Sequence, residues 1–501
     1  MKAFKYFFFL LTFAGFLAAQ NQYHITFNIK NNTDTTMYLI RTLFDRQYVS
    51  DTCKNIKDGK VVFKGTKKLE PGVYTLVSQE KSIYFDFLIN ESYKFTISYD
   101  RNDIANTLST KDSKENAYMF EYLKYMTNKN SEYNEFKNNL KFKSKEDSLK
   151  KVSEKLEKMN VDIKKFESAF MKKVNGTFVY DFLNMKAEKE AEKVPLASNG
   201  RPDSLFRYYY YKNHFLDGID FKDNRIVTIP FFDDRIKRYL DGVIYQYSPD
   251  TLIAEIDKIL GACKQDEIVY NLLLGHFTYK SETDKRMGFD KVFVHLADNY
   301  ITNGRAKNVY SEETIEVIKK RVDIMRNLLI GSKAVDLYMI DTINAEKISK
   351  MGFDTVKTST GATDLYYKKQ EELTPYFRSL YMLNAKYTVL VFWDVDCSHC
   401  QTEIPKLVES LEPLKGKVDF KVFSVYTQTD YVRWKKFIID HKLDFFNVFD
   451  PIHLNNIKVK YDINATPVIY VLDRNKIIKG KKLSAEQVPE LLKYLESIES
   501  N

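Results

Sequence analysis

Two cysteines, Cys397 and Cys400, lie three positions apart in the segment FWDVDCSHCQTEIP, with His399 between them. Cysteine pairs at this spacing serve three kinds of chemistry. They contribute half of a metal site, they form a structural disulfide, or they cycle between dithiol and disulfide. So short a motif is common by chance, so the secondary structure around the pair is needed to distinguish these three kinds of chemistry.

The residues before and after the pair predict a strand that passes directly into a helix. Residues 387–393, YTVLVFW, form a continuous apolar run, whereas residues 398–412 have the apolar spacing of an amphipathic helix. Cys397 therefore occupies a helix N-terminus, where free backbone N–H groups and the helix dipole favour an anion. Such a position lowers a cysteine pKa from about 8.5 to roughly 3.5–7.5. We predict that Cys397 is an exposed nucleophile and that Cys400, one turn later, is a more buried resolving thiol.

A metal site and a structural disulfide both fit the sequence less well. A zinc site needs two more ligands, but there is no second CxxC, and His441 and His453 are not at ligand spacing. A disulfide across two intervening residues closes so small a loop that it restricts the unfolded chain little. We therefore predict redox chemistry at the pair, with no metal and no cofactor. The sequence leaves open whether the other two cysteines, Cys53 and Cys263, form a disulfide or stay as buried thiols, and we prefer buried thiols because nothing in the sequence brings them together.

The segment resembles the active site of thioredoxin-fold thiol–disulfide oxidoreductases, in particular the exported TlpA/ResA-like group. The matching residues belong to the strand end, the CxxC motif, the following helix and a later Thr-Pro segment: Trp393, Cys397, Ser398, His399, Cys400, Glu403, Pro405, Thr466 and Pro467. The resemblance covers residues 331–501. It implies a thioredoxin-like α/β domain in which YDINATPVIYVLD forms a cis-proline loop that faces the CxxC.

The resemblance also implies a role for each residue. Cys397 attacks a disulfide, Cys400 resolves the mixed disulfide, and Glu403 accepts the proton of Cys400. The residues expected to contact or orient the substrate are Trp393, Ser398, His399, Thr466 and Pro467.

The residues that flank the motif depart from the family pattern. Asp396 stands where the family often has a second tryptophan, and Asp394 lies nearby. Thioredoxin has a buried aspartate six residues before its nucleophile, but this chain has Val391 there, which leaves Glu403 as the candidate proton acceptor. The two flanking carboxylates oppose ionisation of Cys397, so the sequence leaves the reduction potential of the pair open.

Sequence periodicity predicts three domains and a multidomain α+β fold class. Residues 20–104 contain short alternating runs between turn residues, which predict a β-sandwich-like domain. Residues 105–330 have helical spacing and predict an all-helical domain, although an apolar stripe over residues 149–170 leaves a dimeric coiled coil open. Residues 331–501 return to strand–helix alternation and predict the thioredoxin-like domain. Within them, residues 342–385 are expected to be irregular.

The N-terminus predicts an exported protein. Lys2 and Lys5 precede an apolar run that ends in Leu-Ala-Ala, the pattern of a cleavable signal peptide over residues 1–19. The run is shorter than the ~20 residues that span a bilayer, so we expect no stable membrane insertion after cleavage. The net charge of +9 is spread over a chain with 29% charged residues and no basic stripe, so we expect no nucleic-acid partner.

These observations predict a periplasmic or otherwise exported thiol–disulfide oxidoreductase that reduces or exchanges disulfides in envelope proteins. The resemblance implies a membrane-bound electron donor of the DsbD or CcdA type, because reduction in an oxidising compartment needs a supply of electrons. The alternative is an envelope binding or scaffold protein with an ancillary thioredoxin-like domain, since redox chemistry does not explain residues 20–330. Those residues resemble the β-rich and helical domains of unassigned function that precede thioredoxin domains in many exported proteins of Gram-negative bacteria.

Overall fold

The computed structural model describes residues 21–80, 82–139, 145–189, 191, 193–244, 248–356 and 358–499. These residues form two compact units. The first lies within the segments Met1–Gln246 and Gly261–Tyr270, and the second within Tyr247–Leu260 and Asn271–Asn501. The predicted signal peptide, residues 1–19, lies outside the described residues. The domain boundaries at 104/105 and 330/331 stay predictions.

The first unit begins with two four-stranded sheets. Their strands are β1 (Tyr23–Lys30), β2 (Met37–Leu43), β3 (Arg46–Cys53), β4 (Lys60–Gly65), β5 (Gly72–Ser78), β6 (Ile83–Ile89), β7 (Lys94–Asp100) and β8 (Ser109–Lys111). The strand orders are β4-β1-β7-β8 and β3-β2-β5-β6. Phe27 of the first sheet packs edge-to-face on Phe87 of the second, with ring centroids 5.3 Å apart. The predicted β-sandwich-like fold is therefore confirmed.

The alternating runs that predict this domain are YHITFNI, KVVFKG, GVYTLVS, IYFDFLI and YKFTISY, and they do not include β2 and β3. Charged residues such as Arg41 and Asp51 interrupt the apolar alternation in these strands, so the two-residue period is weak there. The pairing of β2 with both β3 and β5 stabilises them, and that pairing is a long-range property.

Helices follow the two sheets along the chain. They are α1 (Ile104–Thr107), α2 (Lys114–Asn139), α3 (Lys145–Lys173), α4 (Phe178–Lys186), α5 (Ser204–His214), α6 (Phe232–Arg238), α7 (Pro249–Ala262), α8 (Ile268–Thr283), α9 (Asp290–Leu296) and α10 (Glu312–Arg326). The predicted helical middle region is confirmed. In the described ranges, no helix is long and apolar enough to cross a membrane.

The apolar stripe of residues 149–170 lies on α3, and its C-terminal end packs against α2. Phe166 stacks on Tyr125, with ring centroids 3.6 Å apart, and Phe170 is buried. At the other end, Leu149 is 62% exposed and Leu156 is 37% exposed. The stripe is therefore a packing surface within its own chain over its second half.

The second unit contains a mixed sheet of seven strands. They are β9 (Tyr338–Asp341), β10 (Phe377–Ser379), β11 (Tyr387–Trp393), β12 (Phe420–Tyr426), β13 (Phe446–Phe449), β14 (Val468–Leu472) and β15 (Ile478–Lys481), in the order β10-β9-β13-β12-β11-β14-β15. β11, β12 and β13 are parallel neighbours, and β14 runs antiparallel to β11. This sheet forms the core of the predicted thioredoxin-like domain.

Helices cover both faces of this sheet. They are α11 (Ala345–Lys350), α12 (Ser359–Leu373), α13 (Ser398–Leu411), α14 (Tyr431–Asp440), α15 (Ile457–Lys460) and α16 (Gln487–Glu499). On one face, Leu407 of α13, Trp434 of α14 and Leu492 of α16 belong to one buried cluster. On the opposite face, Ile457 of α15 joins a second cluster. The α/β class predicted for this region is confirmed.

The expectation that residues 342–385 are irregular is wrong. They contain α11, α12 and β10. These elements are short and bury only a few side chains each, such as Ala345 and Ile348 in α11 and Leu373 in α12. So few buried positions leave no clear apolar period in the sequence.

Candidate active site

Cys397 lies between β11 and α13, at the carboxyl-terminal end of this central strand. Every residue of β11 is buried, because the strand lies between β12 and β14 and has helices on both faces. Cys397 is the residue immediately before α13, with extended backbone angles of φ −81° and ψ 116°, and the helix begins at Ser398. The first N–H groups of a helix have no acceptor within it, so they stabilise negative charge at this position.

A second loop reaches the same place through β14. Because β14 runs antiparallel beside β11, with Val468 opposite Phe392, the residues just before β14 lie next to the end of β11. The peptide bond between Thr466 and Pro467 is cis. The Cys397 thiol donates a hydrogen bond to the Thr466 carbonyl oxygen over 3.0 Å, across 69 positions of sequence. The structure thus brings together the CxxC motif and the Thr-Pro segment.

The two sulfurs of the motif differ in exposure and in pKa. Cys397 is half-buried, whereas Cys400 is fully buried, and burial raises the pKa of Cys400 to about 12. Burial also acts to raise the pKa of Cys397, but hydrogen bonds outweigh it and the pKa of this thiol is lowered. The groups that lower it are the Thr466 side chain, the Cys400 thiol, and the backbone N–H groups of Cys400 and His399. Cys397 therefore ionises at a lower pH than Cys400.

An arginine offsets the acidic residue next to Cys397. Asp396 accepts two hydrogen bonds from the Arg433 guanidinium, one of them over 2.9 Å. This hydrogen bonding and the charge of Arg433 lower the pKa of Asp396. Asp394 accepts a hydrogen bond from the Gln428 side chain over 2.7 Å. The loop that begins α14 is therefore bound to the loop that carries Cys397.

We expect Arg433→Gln to raise the pKa of Cys397. The variant removes the positive charge that pairs with Asp396, the residue next to Cys397, and leaves that carboxylate unpaired; both changes disfavour the thiolate. Because the ion pair is exposed, solvent screening keeps the rise in the Cys397 pKa small. We expect alkylation of Cys397 by iodoacetamide to be about three-fold slower at a pH below the pKa of the thiol. The measurement is the alkylation rate of Cys397 as a function of pH. Lys436→Gln is the matched control, since it removes the same charge from the same helix, where Lys436 pairs with Asp440. Identical pH profiles for the two variants would contradict the prediction.

Trp393 is a core residue, and its predicted place on the substrate-binding surface is wrong. Its side chain is fully buried, and the indole Nε1 donates a hydrogen bond to the Ser424 hydroxyl over 2.8 Å. The ring also packs on Tyr426 and Phe437. Because β11 is covered on both faces, the Trp393 side chain cannot contact a substrate at the surface. Trp393 instead fixes the end of the strand that precedes the Cys397 loop.

Glu403 lies three positions after Cys400, one helical turn further along α13. Its carboxylate accepts a hydrogen bond from the Ala485 backbone N–H over 3.1 Å and lies 3.8 Å from the Lys406 ammonium. Among the hydrogen bonds of the described residues, none joins this carboxylate to the Cys400 sulfur. The role of Glu403 as a proton acceptor stays a prediction.

Four further residues of the predicted site surround Cys397. Ser398 and His399 are exposed on the first turn of α13, and Thr466 and Pro467 are half-buried in the loop before β14. The substrate contacts of all four stay predictions.

Arg433 is the residue near the site that sequence reasoning missed. It belongs to no motif, and 37 positions separate it from Asp396. One signal could have found it. The carboxyl ends of adjacent parallel strands meet at one edge, so a charged residue at the start of α14 lies close to the loop after β11.

The remaining cysteines have no place in this site. Cys53 is a buried thiol, whereas Cys263 is a half-buried thiol whose pKa is raised by burial to about 12. Over the part of the chain that the structure describes, no three metal-ligating side chains lie close enough together to hold an ion.

Three family models match the chain. Residues 23–119 match a domain of unknown function (DUF4369), residues 162–327 match a second domain of unknown function (DUF5106), and residues 367–481 match the AhpC/TSA family. A search of curated proteins found no match. The site and the third match define a thioredoxin-like domain of the thiol–disulfide oxidoreductase type.

Several solved structures are similar to this chain. A domain of a possible thiol-disulfide isomerase from Cytophaga hutchinsonii is 34% identical, with a TM-score of 0.26, and the match covers 34% of this chain and 97% of that one. A thioredoxin-like protein from Bacteroides caccae is 18% identical over 61% of this chain and 99% of that one, with a TM-score of 0.42. The thioredoxin domain of a thiol-disulfide oxidoreductase from Bacteroides vulgatus is 23% identical over 34% of this chain and 96% of that one, with a TM-score of 0.24.

The C-terminal region of the chain therefore contains a thioredoxin-like domain of the AhpC/TSA family, matched over residues 367–481. The predicted resemblance to thioredoxin-fold thiol–disulfide oxidoreductases with preceding domains of unassigned function is confirmed.

Proposed function

We propose that this protein is an exported thiol–disulfide oxidoreductase that reduces or exchanges disulfides in envelope proteins. One observation carries the proposal, the difference between the two sulfurs. Cys397 is accessible and has a lowered pKa, whereas Cys400 is buried and has a pKa raised to about 12. A structural disulfide or a metal site does not need such a difference, but a nucleophile and its resolving thiol do.

Reduction proceeds in two exchange steps. The Cys397 thiolate attacks one sulfur of a substrate disulfide, a bond forms between these two sulfurs, and the other substrate sulfur leaves as a thiolate. Cys400 then loses its proton, and its thiolate attacks the Cys397 sulfur, which releases the second substrate thiolate. Cys397 and Cys400 end as a disulfide, and two electrons have passed to the substrate.

The surrounding groups assist these steps. The N–H groups at the start of α13 and the Thr466 side chain stabilise the Cys397 thiolate. Glu403 is proposed to accept the proton of Cys400, because it follows Cys400 by one helical turn. The backbone beside Pro467 is proposed to pair with an extended segment of the substrate, while Ser398 and His399 contact it from the exposed first turn of α13.

A dithiol must reduce the Cys397–Cys400 disulfide again after each cycle. We propose a membrane-bound donor of the DsbD or CcdA type, since an oxidising compartment supplies no soluble reductant. The location outside the cytoplasm rests on the signal-like residues 1–19.

The Cys400→Ala variant is expected to trap substrates. Without the resolving thiol, the mixed disulfide between Cys397 and the substrate persists, because nothing within the site attacks it. The measurement is a non-reducing gel of cells that produce the variant, quenched with acid. Bands of higher mass that collapse on reduction are the expected result, at least about ten-fold stronger than in the wild type. Cys397→Ala/Cys400→Ala is the matched control and should form no such bands; their persistence in this control would assign them to another cysteine.

The binding or scaffold function is the second candidate, and helix α5 favours it. None of the residues of α5 is buried, and Leu205, Phe206 and Tyr209 are 66%, 40% and 53% exposed. Exposed aromatic and aliphatic side chains on one helix are typical of a protein-binding surface. In the trapping experiment, a scaffold would retain partners without forming any mixed disulfide.

A further inference from the structure

A pocket of about 500 Å³ lies in the same domain as Cys397. We call it the edge pocket. Six of the residues that line it define it: Ala345, Phe353, Ala362, Phe449, Thr429 and His453.

The edge pocket has an apolar floor and a polar rim. The floor residues Ala345, Phe353, Ala362 and Phe449 are each less than a tenth exposed, whereas Thr429 and His453 are exposed. Binding pockets in proteins usually hold about 300–1,000 Å³ and combine an apolar lining with a few polar groups. The volume of the edge pocket lies in this range, and its buried floor is apolar, although half of the residues that line it are polar.

The edge pocket and Cys397 both lie at the carboxyl-terminal ends of the parallel strands. Cys397 follows β11, Thr429 follows β12, and Phe449 is the last residue of β13, while these three strands are parallel neighbours. Adjacent strands lie about 4.8 Å apart, so the carboxyl ends of β12 and β13, which lead to Thr429 and Phe449 of the edge pocket, lie roughly 5 and 10 Å from the end of β11.

Hydrogen bonds join the wall of the edge pocket to the loop that carries the nucleophile. The backbone N–H of Thr427 donates to the Trp393 carbonyl oxygen over 2.9 Å. The Gln428 side chain binds Asp394 in the next loop, as described above. The two residues immediately before Thr429 are therefore hydrogen-bonded to the end of β11 and to the loop that carries Cys397.

Asp430, an acidic residue at the pocket rim, already has a hydrogen-bond partner in the chain. Asp430 lines the pocket, and its carboxylate accepts a hydrogen bond from the Arg433 backbone N–H over 3.1 Å, as the N-cap of α14. Burial of a charged side chain against the four apolar floor residues would cost free energy, because none of their side chains offers it a hydrogen bond. The floor therefore favours an uncharged, apolar occupant.

We propose that the edge pocket binds an aromatic or aliphatic side chain of the substrate polypeptide, two or three residues from the cysteine that Cys397 attacks. The inference rests on the proposed function and adds a substrate class to it. An extended chain advances about 3.3 Å per residue, so two or three residues span the roughly 5–10 Å between the end of β11 and the strand ends that lead to the pocket. The preferred substrates are disulfide proteins with an apolar residue at that distance from the reactive cysteine.

Synthetic peptides test this proposal. Each peptide has one cysteine in a mixed disulfide with glutathione and one phenylalanine, placed two or three residues before or after the cysteine. A reference peptide has serine at all four positions. The pre-reduced full-length protein reduces each peptide in a single turnover, and the second-order rate constants are compared. We expect about a ten-fold higher rate constant for at least one phenylalanine peptide, as for filling an apolar pocket.

Two tryptophan variants connect that preference to the pocket. Thr429→Trp places an indole at the pocket mouth and is expected to lower the phenylalanine-to-serine ratio to less than about two-fold. Val432→Trp is the matched control, because Val432 is 63% exposed on α14 and does not line the pocket; it should keep the ratio of the wild type. Each ratio is taken within one variant, so a general change in reactivity cancels.

The outcomes separate the pocket from the proposed function. If the reference peptide is reduced but all peptides react equally, the edge pocket has no role in substrate choice. The same conclusion follows if Thr429→Trp keeps the preference, or if Val432→Trp loses it to the same extent. If the wild-type protein reduces no peptide at all, the proposed function is wrong, and the proposed substrate class is wrong as well.

Discussion

The Cys397→Ser variant is expected to lose disulfide reduction by at least about a thousand-fold. A serine hydroxyl is almost fully protonated at neutral pH, and an S–O bond to the substrate does not form in place of the mixed disulfide. Cys400 cannot replace the missing sulfur, because it is fully buried and its pKa is about 12. The assay is reduction of insulin by the full-length protein, with dithiothreitol as the electron source and its uncatalysed rate subtracted.

Cys263→Ser is the matched control for this experiment. It makes the same chemical change at a thiol whose pKa burial raises to about 12, so the rate of the wild type is expected. The thermal unfolding midpoint of Cys397→Ser should also match the wild type, because the replaced atom is similar in size. A Cys397→Ser protein that still reduces insulin at the wild-type rate would overturn the proposed function.

The Lys481→Met variant is expected to destabilise the second unit by about 3–5 kcal/mol. The Lys481 ammonium donates hydrogen bonds to the Asp290 carboxylate and, over 2.6 Å, to the Leu328 carbonyl oxygen. Lys481 is 4% exposed and Asp290 is 8% exposed, so both charges are removed from water. Methionine retains most of the side-chain volume but leaves the Asp290 carboxylate buried without its cation. That uncompensated charge accounts for the expected loss.

Asp290 has little else to replace its partner. Its second carboxylate oxygen, Oδ1, is buried and has no hydrogen-bond partner within the described ranges. Burial lowers the pKa of Lys481, whereas the neighbouring Asp290 carboxylate acts to raise it. The charged form of Lys481 therefore depends on its pairing with Asp290.

Guanidinium unfolding of the full-length protein measures the effect. The chain has two tryptophans, Trp393 and Trp434, and both are fully buried in the second unit, so their fluorescence reports on its unfolding. The double variant Lys481→Met/Asp290→Leu is the control, because it removes both charges and should recover most of the stability. If the double variant is as unstable as Lys481→Met, lost packing rather than a buried charge is the cause.

The Lys481–Asp290 pair also bears on the organisation of the chain. Asp290 is the first residue of α9, which belongs to the region that matches the DUF5106 model, whereas Lys481 is the last residue of β15 in the AhpC/TSA match. A buried ion pair between two matched regions indicates that they fold together within the second unit. The prediction for Lys481→Met therefore also tests whether these helices and the sheet are one cooperative structure.

The sequence by itself determined the local features of this protein. The continuous apolar run of β11, followed at once by helical spacing, was enough to place Cys397 at a helix N-terminus. Contiguous residues decide such a junction, because strand and helix periods are properties of neighbours along the chain. The β-rich start and the helical middle region were predictable for the same reason.

Only the tertiary structure decided what surrounds the two sulfurs. The sequence shows Asp396 beside the nucleophile, but the parallel order of β11 and β12 brings Arg433 to offset it. Trp393 lies four residues before Cys397, yet its burial by helices on both faces of the sheet removes it from the substrate surface. Electrostatic and packing interactions depend on distance in space, and strand order sets that distance over dozens of residues. The spacing of residues along the chain does not by itself give that distance.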